Sequence, residues 1–218
     1  MGNVAAQLDQ FALFDIESDA DRILRKREDH IARYGIPSAF NTPARGLMAR
    51  LEVLDAWKQA WGNFDCIRVS HTWHPGIMDP FDPSDTCQPA YMSANLYCHH
   101  HRDPNCQCVN LRLNRAMCRG CDWEADTDYL NSDHAIADAH DHAFPGWRES
   151  PLVLDPQPMN PKPLAKWQAK VIDLYGGDRP NGWPIISPRP GGGNRSVPCR
   201  SPFGGYDMAQ PIVLATAP

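Results

Sequence analysis

The sequence predicts a small α+β fold, and three observations carry that prediction. Apolar residues recur at three- and four-residue spacings in capped segments, one short segment alternates apolar and polar residues, and Cys and His crowd into one stretch. The segment from Tyr97 to His142 holds five cysteines and six histidines. A β-hairpin and a short helix are expected there, with helices before them and an irregular Pro/Gly-rich tail after them. The chain divides accordingly into an N-terminal peptide (1–17), a helical region with one strand (18–91), a Cys/His module (92–148), a linker with a late helix (149–177) and a C-terminal extension (178–218).

The first helix is expected over residues 18–34, "SDADRILRKREDHIARY". Ser18 caps it, Asp19 and Asp21 favour its positive start, and Gly35 followed by Ile36-Pro37 stops it. A second helix is expected in "NTPARGLMARLEVLDAWKQAWG", with Thr42 as cap, Pro43 in the first turn and Gly62 past the end. Its Leu47, Leu51, Leu54, Trp57 and Trp61 form one apolar stripe, which suits a core helix. "FDCIRVSHTW" (64–73) alternates as a strand does, and the Pro- and Asp-rich run after it (74–91), which includes Cys87, is expected as loop. "DHAIADAHDH" reads as a short helix stopped by Pro145-Gly146. "NPKPLAKWQAKVIDLYGG" reads as the late one, with Leu164, Trp167, Val171 and Leu174 on one face.

Composition narrows the function. The 218 residues carry a net charge of −5, with 21 Pro and 15 Gly. That balance argues against a long phosphate-tracking surface, which needs several Lys and Arg. Two local basic runs, Arg22–Arg27 and the trio Arg112, Arg115 and Arg119, read as solvated surface. No basic start with an apolar run marks a signal peptide, and no apolar stretch approaches a membrane span, so a cytoplasmic location is expected. Eight cysteines in such a chain point to metal before disulfides.

The sharpest chemical signal is Cys118-Arg-Gly-Cys121. Two Cys separated by two residues, with Gly between them, form a knuckle whose thiolates point at one ion while backbone N–H groups bond the sulfurs. Trp123 stands where an aromatic can shelter the site. Downstream histidines complete a quartet: Cys118, Cys121, His140 and His142, provided the short helix ends near Ala139, with His134 as substitute. The related spacing Cys118-x2-Cys121-x12-His134-x5-His140 is similar to a zinc finger. A second quartet, Cys98, His101, Cys106 and Cys108, spans eleven residues. Alternatively, Cys106 and Cys108 join Cys118 and Cys121 across a hairpin in one four-cysteine ribbon. Mixed thiolate and imidazole ligands suit tetrahedral Zn²⁺, so one or two zinc ions are expected. Four protein ligands leave no position for water, which favours a structural role.

Three resemblances add to this reading. "DHAFP" (141–145) resembles the Asp-His-x-x-Pro core of HNH nucleases, although no His follows His142 and no second knuckle is present. "CRGCDWEA…ADAHDHAFPGWRESPLV" and the later "PRPGGGNRSVPCRSPFGGYDMA" resemble an uncharacterised family, a domain of unknown function found in actinobacteria and their phages. The resemblance implies that Cys118, Cys121, Trp123, His140, His142 and Trp147 form one motif, and it implies no activity. Near the N-terminus, "QFALF" (10–14) resembles the Gln-x-x-Leu-Phe peptide with which bacterial polymerases and repair proteins hold the sliding clamp. In that mode Leu13 and Phe14 bury in an apolar pocket, at about 1.5–3 kcal/mol each, and Gln10 sets the register. The other reading is that these side chains staple the first segment onto the chain's own core before Ser18.

The function these observations favour is a non-enzymatic, zinc-stabilised binding protein, phage-encoded, that engages a host or replisome protein. A zinc-finger-like nucleic-acid binder and a degenerate HNH nuclease are the alternatives.

Overall fold

The computed structural model describes residues 25, 42–61, 73–76, 83–95, 112–188 and 195–210. The N-terminal peptide, the rest of the first expected helix, most of the expected strand 64–73 and the quartet Cys98, His101, Cys106 and Cys108 lie outside these residues. Among the described residues no helix is long and apolar enough to cross a membrane.

The architecture is mixed α/β. Helix α1 spans Leu47–Trp61, and the strands β1 (Trp73–Pro75), β2 (Pro89–Asn95), β3 (Arg112–Cys118) and β4 (Glu124–Tyr129) form an antiparallel sheet in that order. Helix α2 (Ser132–Ala143) follows, then a 3-10 turn at Trp147–Glu149, helix α3 (Pro161–Tyr175), and a parallel pair, β5 (Ile185–Pro188) and β6 (Asp207–Gln210).

Strand alternation sorts the sheet's two faces. Ala90, Met92 and Ala94 of β2 and Met117 of β3 join Leu47 and Trp73 in one core on the α1 side. Tyr91 and Ala116 face the other way. There they meet Ala135, Ile136 and Ala139 of α2, Trp167 and Val171 of α3, and Ile185 and Met208 of the parallel pair. Trp147, 1% exposed, lies in this second core.

Several sequence expectations change here. The second helix begins at Leu47 and not at Pro43, because Gly46 adopts φ 80° and breaks the helical run. Thr42 instead closes a local turn, its Oγ1 accepting from Ala44 N at 3.2 Å. Residues 89–95, expected in part as loop, form β2, inside the sheet between β1 and β3. In α3 the buried stripe is Trp167, Val171 and Tyr175, while Leu174 is 49% exposed. Residues 183–186 and 206–209, in the extension, pack into the core.

Arg115 is not a solvated surface cation. It bonds Asp128 Oδ1 at 2.6 Å and Glu124 Oε1 at 2.7 Å. Glu124 also accepts from Arg50 at 2.6 and 2.7 Å and from Gly46 N at 2.9 Å. The guanidinium groups of Arg50 and Arg115 lie 5.4 and 4.7 Å from the centre of the Trp73 ring. This network joins the start of α1 to the first residue of β4, three residues past Cys121.

Candidate metal centre

The register of β2 on β3 builds the site. Pro89 pairs with Cys118, so Cys87, two residues earlier, lies beside the turn that follows β3. That turn is held by backbone bonds from Arg119 N to Gln88 O (3.0 Å), from Ser84 N to Arg119 O (3.3 Å) and from Cys118 N to Trp123 O (3.1 Å). It carries Cys118 and Cys121. Helix α2 brings His142 from the other side. The ligand atoms of Cys87, Cys118, Cys121 and His142 all lie within 4.8 Å of one another.

The spacings suit a tetrahedral ion. Zinc with Zn–S bonds of about 2.3 Å sets sulfur pairs about 3.8 Å apart and a sulfur–nitrogen pair about 3.5 Å apart. Cys87 Sγ lies 4.0 Å from Cys121 Sγ, and Cys121 Sγ lies 3.3 Å from His142 Nε2. Gly120 N donates to Cys118 Sγ at 3.3 Å, the N–H···S bond a knuckle supplies. Trp123 stacks on the His142 ring at 4.3 Å with the planes 7° apart, which fixes the imidazole. The four residues fit a metal with three thiolates and one imidazole.

The acid–base state of the cluster follows from crowding. Burial pushes the Cys87 thiol up to about 11, helped by the neighbouring Cys118 and Cys121, which disfavour another negative charge. Burial also acts to raise Cys118, but backbone bonds from Gly120 and Gln88 outweigh it and its pKa falls below the ordinary thiol value. Burial lowers His142, which keeps its imidazole neutral and able to ligate. Three thiols and a neutral imidazole this close favour a divalent cation, which relieves the repulsion between thiolates.

Gly120 is required by packing. A Cβ there would lie 2.1 Å from the carbonyl oxygen of Thr86. Gly120→Ala is therefore expected to push the Cys87 segment off the knuckle, lowering zinc affinity about 10–100-fold, as loss of a supporting partner does. Competition with a chromogenic chelator measures it.

His140, expected beside His142, is placed elsewhere. Helix α2 does not end near Ala139 but continues to Ala143. At about 100° per residue, positions two apart on a helix point to nearly opposite sides. His142 reaches the cysteines, while His140 shares the buried face of Ile136 and is fully enclosed. Its Nδ1 donates to Ile136 O at 2.7 Å, and its ring packs on Phe144, Trp147 and Tyr206. Burial drives its pKa down to about 4, so it is a neutral core residue. His134, the substitute ligand, packs edge-on to Tyr129.

Cys87 is the candidate ligand that sequence reasoning missed. It lies 31 residues before Cys118, inside a run that reads as loop. The only local signal was an unassigned Cys just ahead of a segment able to pair with the knuckle strand. Asp141, of the "DHAFP" run, bonds Trp147 Nε1 at 2.8 Å and pairs with Arg148 at 2.7 Å. His142, the other polar residue of that run, turns its Nε2 to Cys121 Sγ at 3.3 Å.

A model for a family of unknown function, DUF6349, matches residues 35–217, so the chain belongs to that family. No curated protein and no solved structure matches it.

Proposed function

We propose that this member of the DUF6349 family is a non-enzymatic binding protein whose central module is stabilised by one structural zinc ion. The observation that carries this reading is the Cys87–Cys118–Cys121–His142 quartet, with four protein ligands inside 4.8 Å. A closed set of three thiolates and an imidazole leaves no coordination position for water, which a catalytic zinc keeps. The ion would tie the segment before β2, the β3–β4 turn and the end of α2 into one unit. Two of those three pieces are turns with little apolar surface of their own.

Recognition falls to the N-terminal peptide in this proposal. Gln10, Leu13 and Phe14 would dock on the sliding clamp of a host or phage replisome, with the zinc module as the body that the peptide tethers. The peptide precedes the region that matches the family, as an appended docking element does. Pull-down with purified clamp tests it. Wild-type protein is expected to retain the clamp. A Leu13→Ala/Phe14→Ala protein, with unchanged zinc content and melting temperature, is expected to lose it. Equal recovery by both proteins would remove the clamp from the proposal.

A further inference from the structure

The C-terminal half contains a second candidate site, separate from the metal centre. Leu152 bridges Ile186 in parallel, and Val153 N donates to Ile186 O at 2.8 Å. With β5 and β6 also parallel, three segments run side by side, and α3 is the crossover between the first and the second. This is a small β-α-β unit. In open parallel sheets, ligands bind in the crevice outside the carboxyl ends of the strands, where neighbours diverge. Here the first segment ends its pairing with β5 after Val153 and turns away through Leu154–Gln157. A crevice of about 770 Å³ opens between that turn and Ser187-Pro188.

The walls of the crevice are apolar, from Leu154, Pro156, Trp167 and Pro188. Its polar groups converge on one cation. Arg200 Nε donates to Gln157 Oε1 at 2.6 Å and lies 4.0 Å from Asp207 Oδ2. Asp207 is buried and accepts from Ser187 Oγ through its other oxygen. Arg200 is thus held by its Nε edge. Among the described residues neither of its terminal nitrogens has a hydrogen-bond partner, and its side chain is 39% exposed. Asp155, also in the lining, is 3.7 Å from Lys170.

We propose that this crevice binds a small carboxylate with an apolar chain. A guanidinium offers parallel N–H donors that match the two oxygens of a carboxylate. Arg200 is the one cation among the described lining residues, and with Asp207 beside it suits a monoanion better than a doubly charged phosphate. Apolar walls around a few convergent polar groups are the usual composition of a small-molecule site. The carboxylate can belong to a free acid or to the C-terminus of a peptide, and the chemistry at Arg200 is the same.

Titrations of the full-length, zinc-loaded protein followed by NMR test the site. The probes are hexanoate, hexanol, the peptide acetyl-Ala-Leu-Leu with a free C-terminus, and its C-terminal amide. Hexanoate is expected to shift resonances of residues 153–157 and 187–188, with hexanol weaker by about tenfold, the scale of a hydrogen bond to a charged group. Arg200→Gln should remove that preference. Leu154→Glu, at a position 73% exposed and so tolerant of change, should weaken hexanoate by repulsion without unfolding the chain. The peptide acid binding more tightly than hexanoate, with the amide inert, would identify a peptide terminus as the ligand. Hexanoate binding alone would identify a free acid. Hexanol binding as tightly as hexanoate, no effect of either substitution, or no binding of any probe would overturn the proposal.

Discussion

Replacing Cys87 with serine is expected to strip the protein of its metal, although Cys87 lies far from the Cys-x-x-Cys knuckle in sequence. Purified wild-type protein should carry about one zinc for this quartet, the stoichiometry of a closed four-ligand site. Cys87→Ser, Cys118→Ser and His142→Ala should each lose it in elemental analysis. His140→Phe should retain it, because His140 reaches no ligand and sits among Phe144, Trp147 and Tyr206. The pair Cys87 and His140 makes the test decisive: a quartet built on His140 predicts the opposite result for both. Any further zinc would belong to Cys98, His101, Cys106 and Cys108, and should survive all four substitutions.

Metal loss should also cost structure. Structural zinc contributes on the order of 10–16 kcal/mol of apparent binding free energy in small metal-folded units. A typical domain has a net stability of only about 5–15 kcal/mol. Treatment with a strong chelator should therefore loosen the knuckle and the end of α2 together. Near-ultraviolet circular dichroism would report it, since Trp123 stacks on His142 and Trp147 packs near the helix end. Restoring zinc should restore the signal.

The second large effect is expected at Glu124. Its carboxylate takes hydrogen bonds from Arg50, Arg115 and the Gly46 amide while almost fully buried. Removing the charge leaves Arg50 enclosed without its partner, and breaking a buried pair in this way costs about 3–5 kcal/mol. Glu124→Ala should lower the melting temperature sharply. Glu124→Leu with Arg50→Met should recover part of the loss, because a well-packed apolar pair avoids an uncompensated buried charge.

The same group sets a pH dependence. Burial acts to raise the Glu124 pKa, but its bonds to Arg50, Arg115 and Gly46 prevail and hold it at about 2, against an ordinary 4.5. A depressed folded-state pKa means stability that is fully present above the unfolded value and is lost as pH falls towards the folded one. The network's contribution should fade between about pH 4.5 and pH 2. Acid also releases metal from thiolates, in wild type and variant alike. The informative quantity is thus the difference in stability between wild type and Glu124→Gln. It should be constant near neutral pH and shrink in acid.

Local patterns were legible in the sequence where the physics is local. The knuckle Cys118-x2-Cys121 follows from a turn that closes within four residues. Helices α2 and α3 follow from apolar spacing and from the stops Pro145-Gly146 and Gly176-Gly177 near their ends. A mixed α/β fold with a Cys/His centre was readable on those grounds. The second helix was readable as a helix, but its start depended on Gly46, whose left-handed backbone rests against β4.

Tertiary structure alone decided which side chains meet. Cys87 joins the knuckle only because Pro89 pairs with Cys118, a register set by the burial of alternate residues over the whole of β2 and β3. His142 is selected over His140 because α2 runs four residues further than its spacing required, and helical phase sends the two rings to opposite sides. Arg115, in a basic run that looks solvated, is drawn inward because Glu124 and Asp128 stand on the neighbouring strand. The crevice at Arg200 depends on parallel pairing between segments more than thirty residues apart. Each of these outcomes rests on contacts distant in sequence, whose cost and reward are shared by the whole fold and written in no single segment.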